Sequence, residues 1–143
     1  MKYLPVKKRY SVNVVDDSEV EALALKHVFD DLPHDIHMRY HNGGAGLDEF
    51  LSERPDIFIL DMHIPSYDVW DSVRTIRQHN QDSIIIIYSG VDPALQREAI
   101  RTSYQDEFIS EVRYLTKPSN EELGRRIWDK EFSCLIKGDS DAA

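Results

Sequence analysis

The chain has 143 residues and a formal net charge of −9, with 17 Lys and Arg set against 26 Asp and Glu. That length suits a single domain, residues 1–143, around one continuous core, and the acidic balance excludes a surface that grips nucleic acid or an anionic membrane through clustered Lys and Arg. The longest apolar run, Ile84 to Tyr88, is too short to span a bilayer, no secretory h-region follows Met1-Lys2, and the single Cys134 excludes an intrachain disulfide or a cysteine metal cluster, so a cytoplasmic protein is expected.

Apolar, largely β-branched runs alternate with segments of helical period, the pattern of βαβ units and a mostly parallel sheet. A short basic lead, Lys7-Lys8-Arg9, precedes a first strand expected near 11–15. Ser18 and Glu21 then form a capping box. Ala22, Leu25, Phe29 and Leu32 recur at helical spacing, so a first helix with one buried stripe is expected, ended by Pro33. A second strand follows near 36–40. Asn42-Gly43-Gly44 reads as a turn, because it lacks the lysine of a P-loop and the third glycine of a dinucleotide fingerprint. A short helix over 45–53 closes at Pro55, and a third strand is expected at 56–60. The third helix covers 69–79, with Val69, Val73 and Ile76 on one face. The run at 83–88 has no polar alternation, as in a central strand covered on both sides. Asp92-Pro93 opens a fourth helix, and a fifth strand lies near 112–115. A fifth helix runs from about Ser119 through Leu123, Ile127 and Trp128 towards Leu135, with Cys134 as a small buried filler. Residues 138–143 are polar or small and are expected to fray.

Four of the strand-like runs end in reactive side chains: Asp16-Asp17, Asp61, Ser89 and Lys117-Pro118. Parallel strands of one sheet bring their carboxyl ends to one edge, where open α/β sheets place ligands. Three acids brought together there would repel one another, and a divalent cation relieves the penalty. Magnesium takes a few carboxylate oxygens together with waters and phosphate oxygens, whereas zinc would want His or Cys at ligand spacing. Asp61, at the end of the central strand in a 2-1-3-4-5 order, is the natural nucleophile. Lys117 and Ser89 can neutralise charge on the oxygens of a phosphoryl group bound there. Pro118 is a candidate for a cis peptide that aims Lys117 inward.

These residues resemble a bacterial two-component response-regulator receiver domain over about residues 10–135, through the motifs VVDDS, PDIFILDMHIPSYD, IIIIYSG and YLTKP. The resemblance implies a flavodoxin-like three-layer α/β/α sandwich with a five-stranded parallel sheet of order 2-1-3-4-5. It implies that Asp61 is the phosphoacceptor served by a histidine kinase or phosphotransfer protein. Asp16 and Asp17, with Asp61 and the backbone carbonyl of His63, would bind Mg2+ or Mn2+, and Lys117 would hold the phosphate. Ser89 matches the switch hydroxyl and Tyr114 its aromatic partner, so phosphorylation would reshape the surface of the fourth helix, fifth strand and fifth helix. That surface would serve a downstream partner or a homodimer, with the protein acting as a signalling phosphoacceptor and not as a conventional enzyme.

Some positions depart from the family pattern. Val69 follows Asp68 where glycine is usual, and Gly90 follows Ser89 where alanine is usual. The segment from Ser89 to Lys117 is about six residues long in excess, with the surplus in TSYQDEFISEV, where an extended fourth helix or a reshaped loop is expected. His63 and Val91 stand where the family tunes loss of the phosphoryl group. The alternatives are a degenerate receiver that binds partners without phosphate and a haloacid-dehalogenase-like phosphatase. The latter wants a second acid two residues after the nucleophile, where this chain has His63.

Overall fold

A computed structural model describes residues 3–62, 64, 68–90 and 112–136. Its elements are β1 (Arg9–Val15), α1 (Glu19–Asp30), β2 (Asp35–His41), α2 (Leu47–Leu51), β3 (Ile57–Leu60), α3 (Val69–His79), β4 (Ile84–Ser89), β5 (Val112–Thr116) and a C-terminal helix (Glu121–Leu135). All strand pairs are parallel, in the order β2-β1-β3-β4-β5. This is the flavodoxin-like architecture that the sequence predicts. The expected fourth helix and long segment after Ser89, His63, Val91 and the tail at 138–143 lie outside the described residues.

The central strands β3 and β4 are buried at every position, as their unbroken apolar runs require. Their alternate residues feed two cores. Val12, Val14, Ile57, Ile59, Ile84 and Ile86 pack with Leu25, Val28 and Phe29 of α1 and with Trp128, Phe132 and Leu135 of the C-terminal helix. Val15, Phe58, Leu60, Ile85 and Ile87 pack on the other face with Phe50 and Leu51 of α2 and Val69, Val73 and Ile76 of α3. The first core is aromatic, with Trp128 edge-on to Phe29 at 5.2 Å and to Tyr88 at 5.3 Å between ring centroids.

Two local expectations need correction, and one contact goes beyond what the sequence announces. The Lys117-Pro118 bond is trans, and no cis peptide occurs among the described residues. Cys134 is exposed. The inward stripe of its helix runs through Gly124, Trp128, Glu131, Phe132 and Leu135, and helical spacing turns position 134 away from it. The N-terminal lead is docked. Leu4 is 3% exposed, bridges Ile136 in parallel and donates its N–H to the Leu135 carbonyl at 2.6 Å, while Lys7 Nζ pairs with Asp56 Oδ1 at 2.6 Å. Hydrophobic burial of Leu4 beneath the first core offsets the entropy of ordering the lead.

Candidate functional site

The three charged residues of the site stand just past strand ends, each with its backbone N–H still in the ladder. Asp16 donates to the His41 carbonyl at 3.2 Å, Asp61 to that of Val15 at 2.9 Å and Lys117 to that of Ser89 at 2.8 Å. The main chain is therefore fixed to the sheet while each side chain projects past its edge. Lys117 Nζ lies 3.0 Å from Asp16 Oδ2 and 3.5 Å from Asp61 Oδ2. The side chains of Asp16, Asp61 and Lys117 are 6%, 7% and 16% exposed, so this is a largely desolvated set of charges.

Burial alone would lower the pKa of Lys117. It is outweighed by hydrogen bonds to Glu21 and Asp16 and by the charges of Asp16 and Asp61, and the net shift is upward. The lysine stays an ammonium throughout the physiological range. Its Nζ also lies 5.9 Å from the centroid of the Tyr88 ring.

Glu21 was legible in the sequence only as a capping residue. Ser18 Oγ does accept from the Glu21 N–H at 3.2 Å, but the return bond to the Ser18 N–H comes from Asp16 Oδ1 at 2.8 Å. The Glu21 carboxylate turns instead to Lys117, with Oε2 2.7 Å from Nζ. Carboxylate oxygens of Asp16, Glu21 and Asp61 all lie within 4.8 Å of one another. Asp17 is exposed and is not in that group. The signal that could have found Glu21 is its place one helical turn past Asp16-Asp17, on the side of α1 that faces Lys117.

Ser89 is fully buried and pairs in register with Thr116, and Tyr114 is 8% exposed and pairs with Ile87. Tyr114 belongs to the core on the α3 face. Among the described residues, a Cβ built on Gly90 would meet nothing within 4 Å. A Cβ built on Gly43 would sit 3.3 Å from Ile64 Cγ2, and the φ of +91° there is one that glycine adopts readily.

The receiver-domain model of response regulators matches residues 12–127. The chain belongs to the response regulator receiver domain family. Among curated relatives of the receiver, it is 38% identical over 74 residues to the transcriptional regulatory protein YxdJ of Bacillus subtilis, covering 52% of this chain and 29% of that protein. It is 30% identical over 118 residues to a protein-glutamate methylesterase/protein-glutamine glutaminase of Pseudomonas savastanoi, covering 78% of this chain and 30% of that protein. This receiver chain thus spans under a third of the length of each of these two relatives. Among solved structures, the Mn2+-bound form of the response regulator Rcp1 superposes with a TM-score of 0.65 at 18% identity, over 90% of this chain and 96% of that one.

The donor set suits a hard divalent cation in one respect: Asp16 and Asp61 offer closely spaced, largely buried carboxylate oxygens, with exposed Asp17 beside them. The ammonium of Lys117 already neutralises part of that charge, so a bound cation and Lys117 would divide the same carboxylates between them.

Proposed function

We propose that this single receiver domain is phosphorylated on Asp61 by a histidine kinase or phosphotransfer protein. The observation that carries the reading is the convergence of Asp61, Asp16 and Lys117 at the carboxyl edge of the sheet, with Nζ 3.5 Å from an Asp61 oxygen. In the transfer, an Asp61 carboxylate oxygen attacks phosphorus, a new P–O bond forms, and the P–N bond to the donor histidine breaks. The transferred group carries negative charge on its equatorial oxygens, and Lys117 is placed to hold one of them. Asp16, Asp17 and Asp61, with the His63 carbonyl, would hold Mg2+ or Mn2+, which when bound supplies charge neutralisation to the same oxygens.

The switch would run through Ser89 and Tyr114. Drawing the Ser89 hydroxyl towards the phosphoryl oxygens opens space into which the Tyr114 ring can turn, altering the surface that the family resemblance assigns to the expected fourth helix, β5 and the C-terminal helix. A downstream protein or a second copy of the chain would read that face. Among the described residues no helix is long and apolar enough to cross a membrane, and with a charge of −9 a cytoplasmic protein that contacts proteins in preference to nucleic acid is the reading we favour. The family match supports this over the phosphatase alternative.

The test is incubation with acetyl phosphate and Mg2+, read by intact mass, beside an Asp61→Asn control. A gain of one phosphoryl group that the control lacks is expected. No gain in the wild-type chain, together with no response to beryllofluoride, would favour the degenerate receiver.

A further inference from the structure

Lys117 is shared among three carboxylates that are not equivalent. Asp16 and Asp61 are 6% and 7% exposed and anchored to the sheet through their own backbone N–H groups. Glu21 rises from the first turn of α1, its side chain is 50% exposed, and it makes the shortest of the three contacts, 2.7 Å against 3.0 Å and 3.5 Å. The ammonium is therefore drawn towards the rim and away from Asp61. One cation faces three anions, and the least confined of them, Glu21, is the one most open to solvent, where its charge would oppose an anionic phosphodonor.

We propose that Glu21 is a positioning residue that restrains Lys117 in the resting protein and slows phosphoryl uptake at Asp61. This rests on the acceptor role of Asp61 given above. A phosphoryl oxygen has to win the ammonium from Glu21, whose exposed side chain can swing into solvent once Lys117 turns inward. Two forces oppose uptake: the geometric hold on Nζ and the repulsion between the Glu21 carboxylate and the donor. Both are electrostatic and partly exposed, so salt screens them.

Glu21→Gln removes the charge at constant length, and Glu21→Asp keeps the charge but draws it back by one methylene. Initial rates of uptake from acetyl phosphate with Mg2+ are measured for both and for the wild type, at low and at high salt. Glu21→Gln is expected to be faster by about two- to fivefold, the range of a partly exposed ion pair, mainly through a lower half-saturating donor concentration, with the gain shrinking in high salt. Glu21→Asp is expected to fall between. In the metal-free proteins, the Lys117 ammonium 15N signal is expected to shift in Glu21→Gln, a change that loss of a mere helix-capping residue would not cause. Asp61-dependent uptake in the wild type, with that of Glu21→Gln equal to it or slower, overturns the restraint and leaves Asp61 as acceptor. Absence of Asp61-dependent uptake in both proteins overturns the two together.

Discussion

Replacing Lys117 by Met keeps the apolar stem and removes the ammonium. Asp16 and Asp61, 6% and 7% exposed, then lose the cation 3.0 and 3.5 Å away. Removing one partner of a fully enclosed ion pair costs about 3–5 kcal/mol. Here the pocket opens to solvent on the Glu21 side and Asp16 keeps the Ser18 N–H at 2.8 Å, so the expected loss is about 2–3 kcal/mol, the upper part of the range for hydrogen bonds to charged groups. Urea unfolding in EDTA at neutral pH measures it, with the slope unchanged from wild type. The same carboxylates become more available to a divalent cation once the competing ammonium is gone. Mg2+ should therefore restore more than about 1 kcal/mol to the variant relative to its effect on wild type, since ligand linkage supplies about 2.7 kcal/mol at a hundredfold excess over Kd. A loss below about 0.5 kcal/mol in EDTA, inside the usual range for surface changes, would refute the idea that Lys117 neutralises these acids. An equal loss with and without Mg2+ would refute the competition.

Three further outcomes follow from particular contacts. Leu4→Ala should cost about 2–4 kcal/mol in urea unfolding, as for a buried leucine, because the side chain is 3% exposed in the first core; a change confined to a few tenths would mean the lead does not dock. The pKa values of Lys117 and Tyr88 are both raised, from 10.5 and 10.0; for Tyr88 burial is the first cause. A group raised on folding lends stability that is complete below its unfolded value and lost as pH climbs through the folded one, so unfolding free energy should fall from about pH 10 upwards, less steeply in Tyr88→Phe. Ser89→Ala should stay folded and still take up a phosphoryl group, yet lose the change in Tyr114 ring resonances on beryllofluoride binding; an unaltered response would remove Ser89 from the switch.

The strands and their order were legible because hydrophobic pattern and turn residues agree in β1, β3 and β4, and because Asp16, Asp61 and Lys117 each sit one residue past a strand. The elements read less well where a tertiary contact outweighs local chemistry. Glu21 carries a strong local signal as the third residue after an N-cap, and that signal hides its contact with a lysine 96 positions away. Asp17 follows Asp16 in sequence, but adjacent residues at a strand end point in different directions, and only Asp16 falls among the buried acids. The lead reads in sequence only as a short basic stretch, Lys7-Lys8-Arg9. Its one buried side chain, Leu4, answers to Leu135 and Ile136 at the far end of the chain, and no local pattern announces so distant a partner.

The aim of Lys117 follows from strand alternation with an ordinary trans bond to Pro118. Along β5, Tyr114 packs into the core on the α3 face and Leu115 against the core on the α1 face. Period-two alternation returns Thr116 to the α3 side and Lys117 to the α1 side. The same count puts Asp16 after Val14 and Asp61 after Ile59, both of which belong to the α1-side core. Three side chains from three strands thus reach one side of the sheet edge because each is an even number of residues beyond a core position of the same face. Gly124 lets the C-terminal helix close over that side: a Cβ there would sit 3.3 Å from both Pro118 Cγ and Val28 Cγ2. With a Cβ there, Pro118 or Val28 would have to give by a few tenths of an ångström, so glycine lets the helix approach Pro118 and α1 together and hold the Lys117-Pro118 turn against the helix that carries Glu21.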